Sequence, residues 1–210
     1  MIRGNLIELR LFREADLPLL SRWTREDHDS PEWFQRRIES ETETRDRFST
    51  DSGFWSTDRG RLMIEPLRRR RGASPGSAGF ITFWRPAPSI SDAYEIGIYL
   101  SISHRRGGYG TEAQSLLARF LFENRPTGRV QATTAVENTS ERAALEKAGF
   151  RVEGVLRDWF WAGGRRRDAA LYSMTRQEWE AIRPASPSRP DSSRSHESSR
   201  SASPPPKRGR

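Results

Sequence analysis

The residues best suited to chemistry in this chain are Arg105-Arg106-Gly107-Gly108-Tyr109-Gly110, which lie between a strand-like run over 94–102 and a helix-like run over 109–122. The first turn of a helix carries backbone N–H groups without intrahelical partners, and the helix dipole adds partial positive charge there. Glycines at 107, 108 and 110 remove the side chains that would keep a phosphate away from those groups. Two arginines add charge beside the turn. The chemistry on offer is therefore binding of a phosphate-bearing anion. Neither G-x-x-x-x-G-K-[ST] nor G-x-G-x-x-G is met, and the spacing that remains is R-x-x-G-x-G, filled by Arg105, Gly108 and Gly110. Taken alone, such a turn is equally compatible with a plain strand-to-helix connection.

The elements that must hold this turn follow from apolar periodicity. Strands are expected over 5–12, 61–65, 78–84, 93–101, 129–136, 150–157 and 168–175, and helices over 14–23, 109–124 and 140–148. Asp29-Ser30-Pro31 reads as a further helix start, leading into Trp33, Phe34 and Ile38. Residues 42–57 are polar and carry no period that assigns an element. The arginine run 68–71 leads into a Gly/Ser/Pro loop, and Pro86-Ala87-Pro88 marks a turn. Strands and helices in this order imply a mixed sheet with helices on both faces.

A chain of 210 residues suits one domain with a tail. The boundary is set at 183, because the Ser/Pro/Arg composition of 184–210 cannot bury enough apolar surface to offset the entropy of ordering. The absence of cysteine excludes disulfides, thiolate metal sites and a cysteine nucleophile, and His28, His104 and His196 have no metal-ligand spacing, so no metal is expected. No apolar run approaches the roughly 20 residues of a membrane span and the first residues are unlike a signal peptide, which implies a soluble, cytoplasmic protein without membrane association. The net charge is +8, and the tail, with six cations against two carboxylates, holds about half of that excess. Such a balance suits an anionic cofactor, nucleic acid or an acidic partner.

Downstream of the glycine turn, Asn138-Thr139-Ser140-Glu141 opens an apolar-periodic segment that closes with Glu146-Lys147-Ala148-Gly149-Phe150. Together with Tyr94-Glu95-Ile96-Gly97-Ile98-Tyr99-Leu100, Tyr109-Gly110-Thr111-Glu112-Ala113, Leu6-Ile7-Glu8-Leu9-Arg10 and the ending over 164–179, this resembles the GNAT superfamily of acyl-CoA-dependent N-acetyltransferases, in particular its ribosomal-protein N-terminal acetyltransferase (Rim-type) branch. The resemblance runs over roughly residues 4–182. It implies an α/β (α+β) fold with a mostly antiparallel sheet of about seven strands, acetyl-CoA as co-substrate, and an amine acceptor that is a protein N-terminus or a small molecule. By position it assigns Leu100, Arg105, Arg106, Gly107, Gly108, Tyr109 and Gly110 to the cofactor, the glycine turn around the pyrophosphate and the strand backbone along the pantetheine arm.

Asn138 matches the family's asparagine near the cofactor arm, and it also has the character of a helix cap, with Glu141 three residues on completing a capping-box pattern. The family's N-x-x-S places a serine, a candidate proton donor to the leaving thiolate, where this chain has Glu141. Ser140 falls one position early, and one residue on a helix turns a side chain by about 100°. Glu141, if protonated, or Tyr172 is the substitute expected to protonate the thiolate. Glu95 is the candidate base, directly or through water, and its alternative is an ordinary solvated or salt-bridged strand glutamate. The acceptor cleft implied by the resemblance would use Trp23, His28, Trp33, Phe34, Trp159, Phe160 and Trp161, residues that could equally be core, with the acidic run 26–29 attracting a cation.

Two other readings stand beside a direct-attack N-acetyltransferase. One is an acyl-CoA-binding protein without catalysis, suggested by the displaced serine. The other is a ribosome- or nucleic-acid-associated protein using Arg68 to Arg71 and the basic tail. A ribosomal partner and a homodimer are further expectations carried by the Rim-type resemblance.

Overall fold

Alternation along the strands gives the sheet two chemically distinct faces. The computed structural model describes residues 1–26, 40–68, 76–86 and 91–182. Its strands are β1 (Ile2–Arg3), β2 (Ile7–Leu11), β3 (Arg59–Pro66), β4 (Gly79–Trp84), β5 (Tyr94–Leu100), β6 (Arg129–Ala135), β7 (Arg151–Ala162) and β8 (Arg165–Thr175). They lie side by side as β1-β2-β3-β4-β5-β6-β8-β7, antiparallel throughout except for the parallel pair β5 and β6. The two-residue β1 brings the number to eight where seven strands are expected from the sequence.

One face carries Ile7, Leu9, Ile64, Ile81, Ile96 and Tyr172 among others, and is covered by α3 (Tyr109–Asn124), α4 (Thr139–Lys147) and α5 (Arg176–Ile182). The opposite face carries Met63, Phe80 and Tyr99. These pack beneath α1 (Leu17–Glu26) through Leu17, Leu20 and Trp23, and α2 (Glu41–Thr50) adds Phe48. Phe80 stacks on Tyr99 at 5.3 Å between ring centroids, and Trp23 lies 5.6 Å from the same tyrosine. Helices on both faces of a mixed sheet agree with the expected fold class.

Besides the extra β1 and an unexpected α5, three elements differ from the sequence reading. The helix expected from residue 14 opens with a 3-10 turn, Glu14–Asp16, and becomes α-helical at Leu17, so Pro18 sits in the first α turn, where its missing N–H costs no bond. Residues 42–57 contain α2, whose apolar period is sparse but whose start is fixed by a complete capping box. Ser40 Oγ accepts from the Glu43 N–H at 3.1 Å, and Glu43 accepts from the Ser40 N–H at 2.7 Å. The strand expected over 150–157 continues to Ala162 and turns back through Gly163 and Gly164, both with positive φ, into β8. That is the geometry two glycines allow in a two-residue hairpin loop. The expected helix start at 29–31, most of the 68–76 loop and most of the 86–88 turn lie outside the described residues, as does the expected tail.

Candidate active site

The parallel pair β5 and β6 is joined only at its beginning. Tyr94 pairs with Val130, Glu95 with Gln131 and Ile96 with Ala132, and there the register ends although both strands run on. On its other edge β5 stays paired with β4 along its length, from Glu95 opposite Trp84 to Leu100 opposite Gly79. A wedge-shaped gap therefore opens after Ile96 and Ala132, leaving four residues of β5, about 13 Å of strand edge, without a strand partner. Thr82 Oγ1 donates to the Gly97 carbonyl and the Ser101 N–H donates to Ala78, so the backbone of these odd-numbered positions faces β4. Alternation then turns the backbone of Ile98 and Leu100 toward the gap. The Leu100 carbonyl accepts from Arg105 Nε at 3.0 Å, which draws the Arg105 guanidinium back over the end of the strand.

The glycine turn closes the wide end of this gap. Gly108 is the N-cap of α3 with φ 81°, and Arg106 is also left-handed at 57°. A non-glycine residue held in that region stores roughly 1–3 kcal/mol of strain, a cost that recurs at ligand clamps. No side chain caps α3, so the first N–H groups of a sixteen-residue helix point outward beside Arg105 and Arg106. Gly110 lies close under Leu100, with room for a Cβ only at 3.4 Å from the leucine methyl. Tyr109 does not face the gap. It is buried, with its hydroxyl 3.5 Å from the Arg68 carbonyl and its ring beside His104.

Glu112, in the first turn of α3, has a role that the spacing did not reveal. Its carboxylate accepts the N–H groups of Asn5, Leu6 and Ile7 at 2.7, 2.8 and 2.9 Å, anchoring the turn between β1 and β2 to the helix. A Cβ at Gly4 would meet that carboxylate at 2.6 Å, so a larger residue there would push Glu112 off the three N–H groups it accepts.

On the other side of the gap, Asn138 follows β6 and caps α4. Its Oδ1 accepts from the Glu141 N–H at 3.3 Å and its Nδ2 donates to Thr134 Oγ1 at 3.2 Å. The capping-box pattern is only half realised. The Asn138 N–H donates to the Ala135 carbonyl, and the Glu141 side chain turns away to accept from Gln114 Nε2 at 2.6 Å, across from α4 to α3. Burial raises the Glu141 carboxyl from 4.5 to about 7, against the lowering effect of the Gln114 bond.

The three candidate catalytic residues do not share one face. Glu95 belongs to the register Glu95, Gln131, Ser173, on the same side of β5 as Tyr99, and takes a 3.3 Å bond from Gln131 Nε2. Ser173 Oγ donates in turn to Glu153, which also pairs with Arg129. Tyr172 belongs to the adjacent register with Ile96 and Ala132, on the side covered by α4. Its hydroxyl is fully buried, donates to Glu146 at 2.8 Å and accepts from Arg142 Nε at 3.2 Å. Glu141 and Gln114 stand on this second side. Glu95 and Glu141 thus stand on opposite faces of the sheet.

Of the expected acceptor wall, Trp23 of α1 is buried against the sheet, while His28, Trp33 and Phe34 lie outside the described residues. Trp159 and Trp161 are more than half exposed on β7. The hairpin that carries them extends past the end of β6, since Arg165, Arg166 and Arg167 pair with β7 alone. Sequence reasoning missed Trp84, which pairs with Glu95 and packs over Gly97, where an added Cβ would meet its ring at 3.4 Å. Among the described residues no helix is long and apolar enough to cross a membrane.

Comparison with known proteins places this geometry. Residues 7–151 match the model of the acetyltransferase (GNAT) domain. A Bacillus subtilis (strain 168) protein named "Putative ribosomal N-acetyltransferase YdaF" is 35% identical over 86 residues, 41% of this chain and 47% of that protein. The p20 N-acetyltransferase of Bacillus licheniformis, whose activity is uncharacterized, is 33% identical over 85 residues. The chain thus spans about half the length of the curated relatives it matches. Among solved structures, spermidine N-acetyltransferase from Vibrio cholerae in complex with CoA and spermine superposes with a TM-score of 0.71 at 17% identity, over 84% of this chain and 99% of that one. The ribosomal L7/L12 N-acetyltransferase RimL in complex with coenzyme A gives 0.70 at 18% identity, over 83% and 97%. With a domain model covering more than half of its length, a split parallel pair and an uncapped helix start at the mouth of the split, the chain belongs to the GNAT acetyltransferase family.

Proposed function

We propose that the protein is an N-acetyltransferase that moves the acetyl group of acetyl-CoA to a primary amine by direct attack in a ternary complex. The observation that carries this reading is the gap between β5 and β6, open along β5 from Gly97 to Leu100 and closed at its wide end by the uncapped start of α3. An extended pantetheine arm, with its two amides, can add to the free edge of β5 as a further strand would, through Ile98 and Leu100. The pyrophosphate then reaches the N–H groups at Gly108 and Gly110 and the charges of Arg105 and Arg106. Asn138, with both polar atoms engaged in holding the start of α4, shapes the opposite wall.

With the thioester in the gap, donor and acceptor meet from opposite faces. The acceptor comes from the Glu95 side, where Trp84 and Gln131 flank the carboxylate. Glu95 takes a proton from the ammonium, directly or through water. The neutral nitrogen attacks the thioester carbonyl, forming the C–N bond, and collapse of the adduct breaks the C–S bond and releases a thiolate. Glu141, on the other face, gives that thiolate its proton. Glu95 passes its proton on to solvent, the second amine proton leaves to solvent as well, and Glu141 is reprotonated from solvent, so the net products are the amide, CoA thiol and one proton. A carboxyl near 7 is suited to protonating a thiolate whose conjugate acid lies near the thiol range of about 8.5. Tyr172 is the less favoured donor, because its hydroxyl hydrogen is committed to Glu146. Much of the acceleration would come from holding amine and thioester together.

The acceptor class is a cationic amine, a protein N-terminus or a small polyamine-like molecule. The names of YdaF and RimL favour a ribosomal protein, and that of the Vibrio cholerae enzyme a polyamine. Incubation with acetyl-CoA and a panel containing ribosomal-protein N-terminal peptides and polyamines, read by acetyl mass shift, decides between them. Calorimetric binding of acetyl-CoA with no product on any amine would replace this reading with a non-catalytic acyl-CoA binder.

A further inference from the structure

Gln114 is buried in the second turn of α3, yet only one end of its amide is accounted for. Its Nε2 donates to Glu141 Oε1 at 2.6 Å, while its Oε1 is shielded from solvent and has no hydrogen-bond partner among the described residues. Leaving a buried acceptor unpaired costs about 1–3 kcal/mol, so a side chain is rarely kept in that arrangement without a second partner. Glu141 is the polar side chain in contact with it. An ionised carboxylate can only accept, and cannot satisfy the amide oxygen; a neutral carboxylic acid can accept at one oxygen and donate from the other. The pair then closes into a ring of two hydrogen bonds, Nε2–H to one Glu141 oxygen and O–H of the other to Gln114 Oε1.

The charged groups on the surrounding elements are directed elsewhere. On α3, Glu112 holds the turn between β1 and β2. On α4, Arg142 and Glu146 meet at the Tyr172 hydroxyl of β8. At the end of β5, Arg105 reaches the Leu100 carbonyl. The shift of Glu141 has burial as its first cause and the Gln114 bond as its second, with no charge contributing.

We propose that Gln114 is the positioning residue for the proton donor of this site: it pairs with the Glu141 carboxyl through both ends of its amide, storing the acid proton between turnovers and fixing the carboxylate after the proton has gone to sulfur. This rests on the acetyl-transfer reading above. When the C–S bond breaks, the Glu141 O–H swings from Gln114 Oε1 to the thiolate, and the Nε2–H bond remains to stabilise the carboxylate left behind. Because a hydrogen bond to the ionised carboxylate is the stronger, charge-assisted one, the Nε2–H bond outweighs the contact of Oε1 with the neutral acid and keeps the carboxyl from rising further, which holds the donor within the working pH range. The device belongs to this chain's own sequence, since it requires a carboxyl at 141 and an amide at 114 facing each other across two helices.

The test combines a titration that does not need turnover with a rate profile that does. In the CoA complex, 13C NMR of the glutamate carboxyls, with Glu141 assigned by its loss in Glu141→Gln, should give a midpoint near 7 for the wild type and a higher one for Gln114→Met, which keeps the volume and removes the amide. In acetyl transfer, the alkaline fall of kcat should move to higher pH in Gln114→Met, with kcat at its plateau lowered about tenfold and KM for acetyl-CoA unchanged. Should Gln114→Met fail to fold, Gln114→Glu serves instead, because a second carboxyl facing Glu141 also drives the shared proton's release upward. A folded variant whose Glu141 midpoint and pH profile superimpose on those of the wild type would overturn the proposal. Absence of turnover in the wild type with the expected midpoint shift would instead count against the acetyl-transfer reading while leaving the Gln114–Glu141 pair standing.

Discussion

Single residues divide here between those whose work is visible in their type and those whose partner decides it. Gly108 is of the first kind: φ of 81° and a Leu6 methyl 3.2 Å from any added Cβ mean that Gly108→Ala should cost about 1–2 kcal/mol of stability. It should also weaken CoA binding, and both effects can be read in one calorimetric series. Glu95→Gln should lower kcat on the order of a hundredfold while leaving the Kd for CoA unchanged, since the residue lies in the paired part of β5, short of the free edge and the turn that hold the donor. Glu141 is of the second kind. Its sequence context, three residues after Asn138, predicts a capping box, but burial beside Gln114 offers the carboxyl a better partner than the Asn138 N–H. A tertiary contact thus overrode a local pattern. Between 4.5 and about 7 the folded protein holds a proton on Glu141 that the unfolded chain has already released, so this group's contribution makes stability fall as pH rises through that window. Glu141→Gln should lack that fall, being more stable than the wild type above pH 7 relative to its standing near the lower end of the window. Urea denaturation at both ends measures the difference.

At the level of elements, two capping boxes among the described residues are formed by residues that stand plainly in the sequence. Ser40 with Glu43 opens α2, and Thr175 with Glu178 opens α5, where Glu178 accepts the Thr175 N–H at 2.9 Å. Both helices escape a reading based on apolar periodicity because each buries little, Thr44 in α2 and Trp179 in α5. Trp179 is nonetheless the anchor of its helix, stacked on Phe122 of α3 at 5.3 Å. The glycine turn, α3 and the two strands around it were legible because periodicity of 2 gives way to 3.6 at a glycine cluster. The attachment of α3 to the first strands was not, since Glu112 lies more than a hundred residues from the three N–H groups it accepts. Glu112→Ala would leave those three donors without their charged acceptor and should destabilise the protein by about 2–3 kcal/mol, seen as a lowered urea midpoint with unchanged slope.

For the whole molecule, what periodicity cannot convey is where a sheet stops being a sheet. Nothing in the residues of β5 or β6 states that their pairing ends at Ile96 and Ala132, while α3 and α4, which follow those strands, pack against the same face of the sheet. The resulting gap joins two faces of different character. One holds Gln114 and Glu141 between α3 and α4, the other Glu95 beside Trp84. If these are the donor and acceptor sides of one reaction, acetyl-CoA and an amine must be bound together for any product to form. The most direct measurement is an intact-mass assay of the full chain with acetyl-CoA and a mixed pool of N-terminal peptides and polyamines, run beside calorimetry with CoA. Acetylated amine in the wild type, strongly reduced in Glu95→Gln and Glu141→Gln with CoA binding retained in both, is the predicted result. A wild-type chain that neither binds CoA nor acetylates any amine in the pool would contradict it.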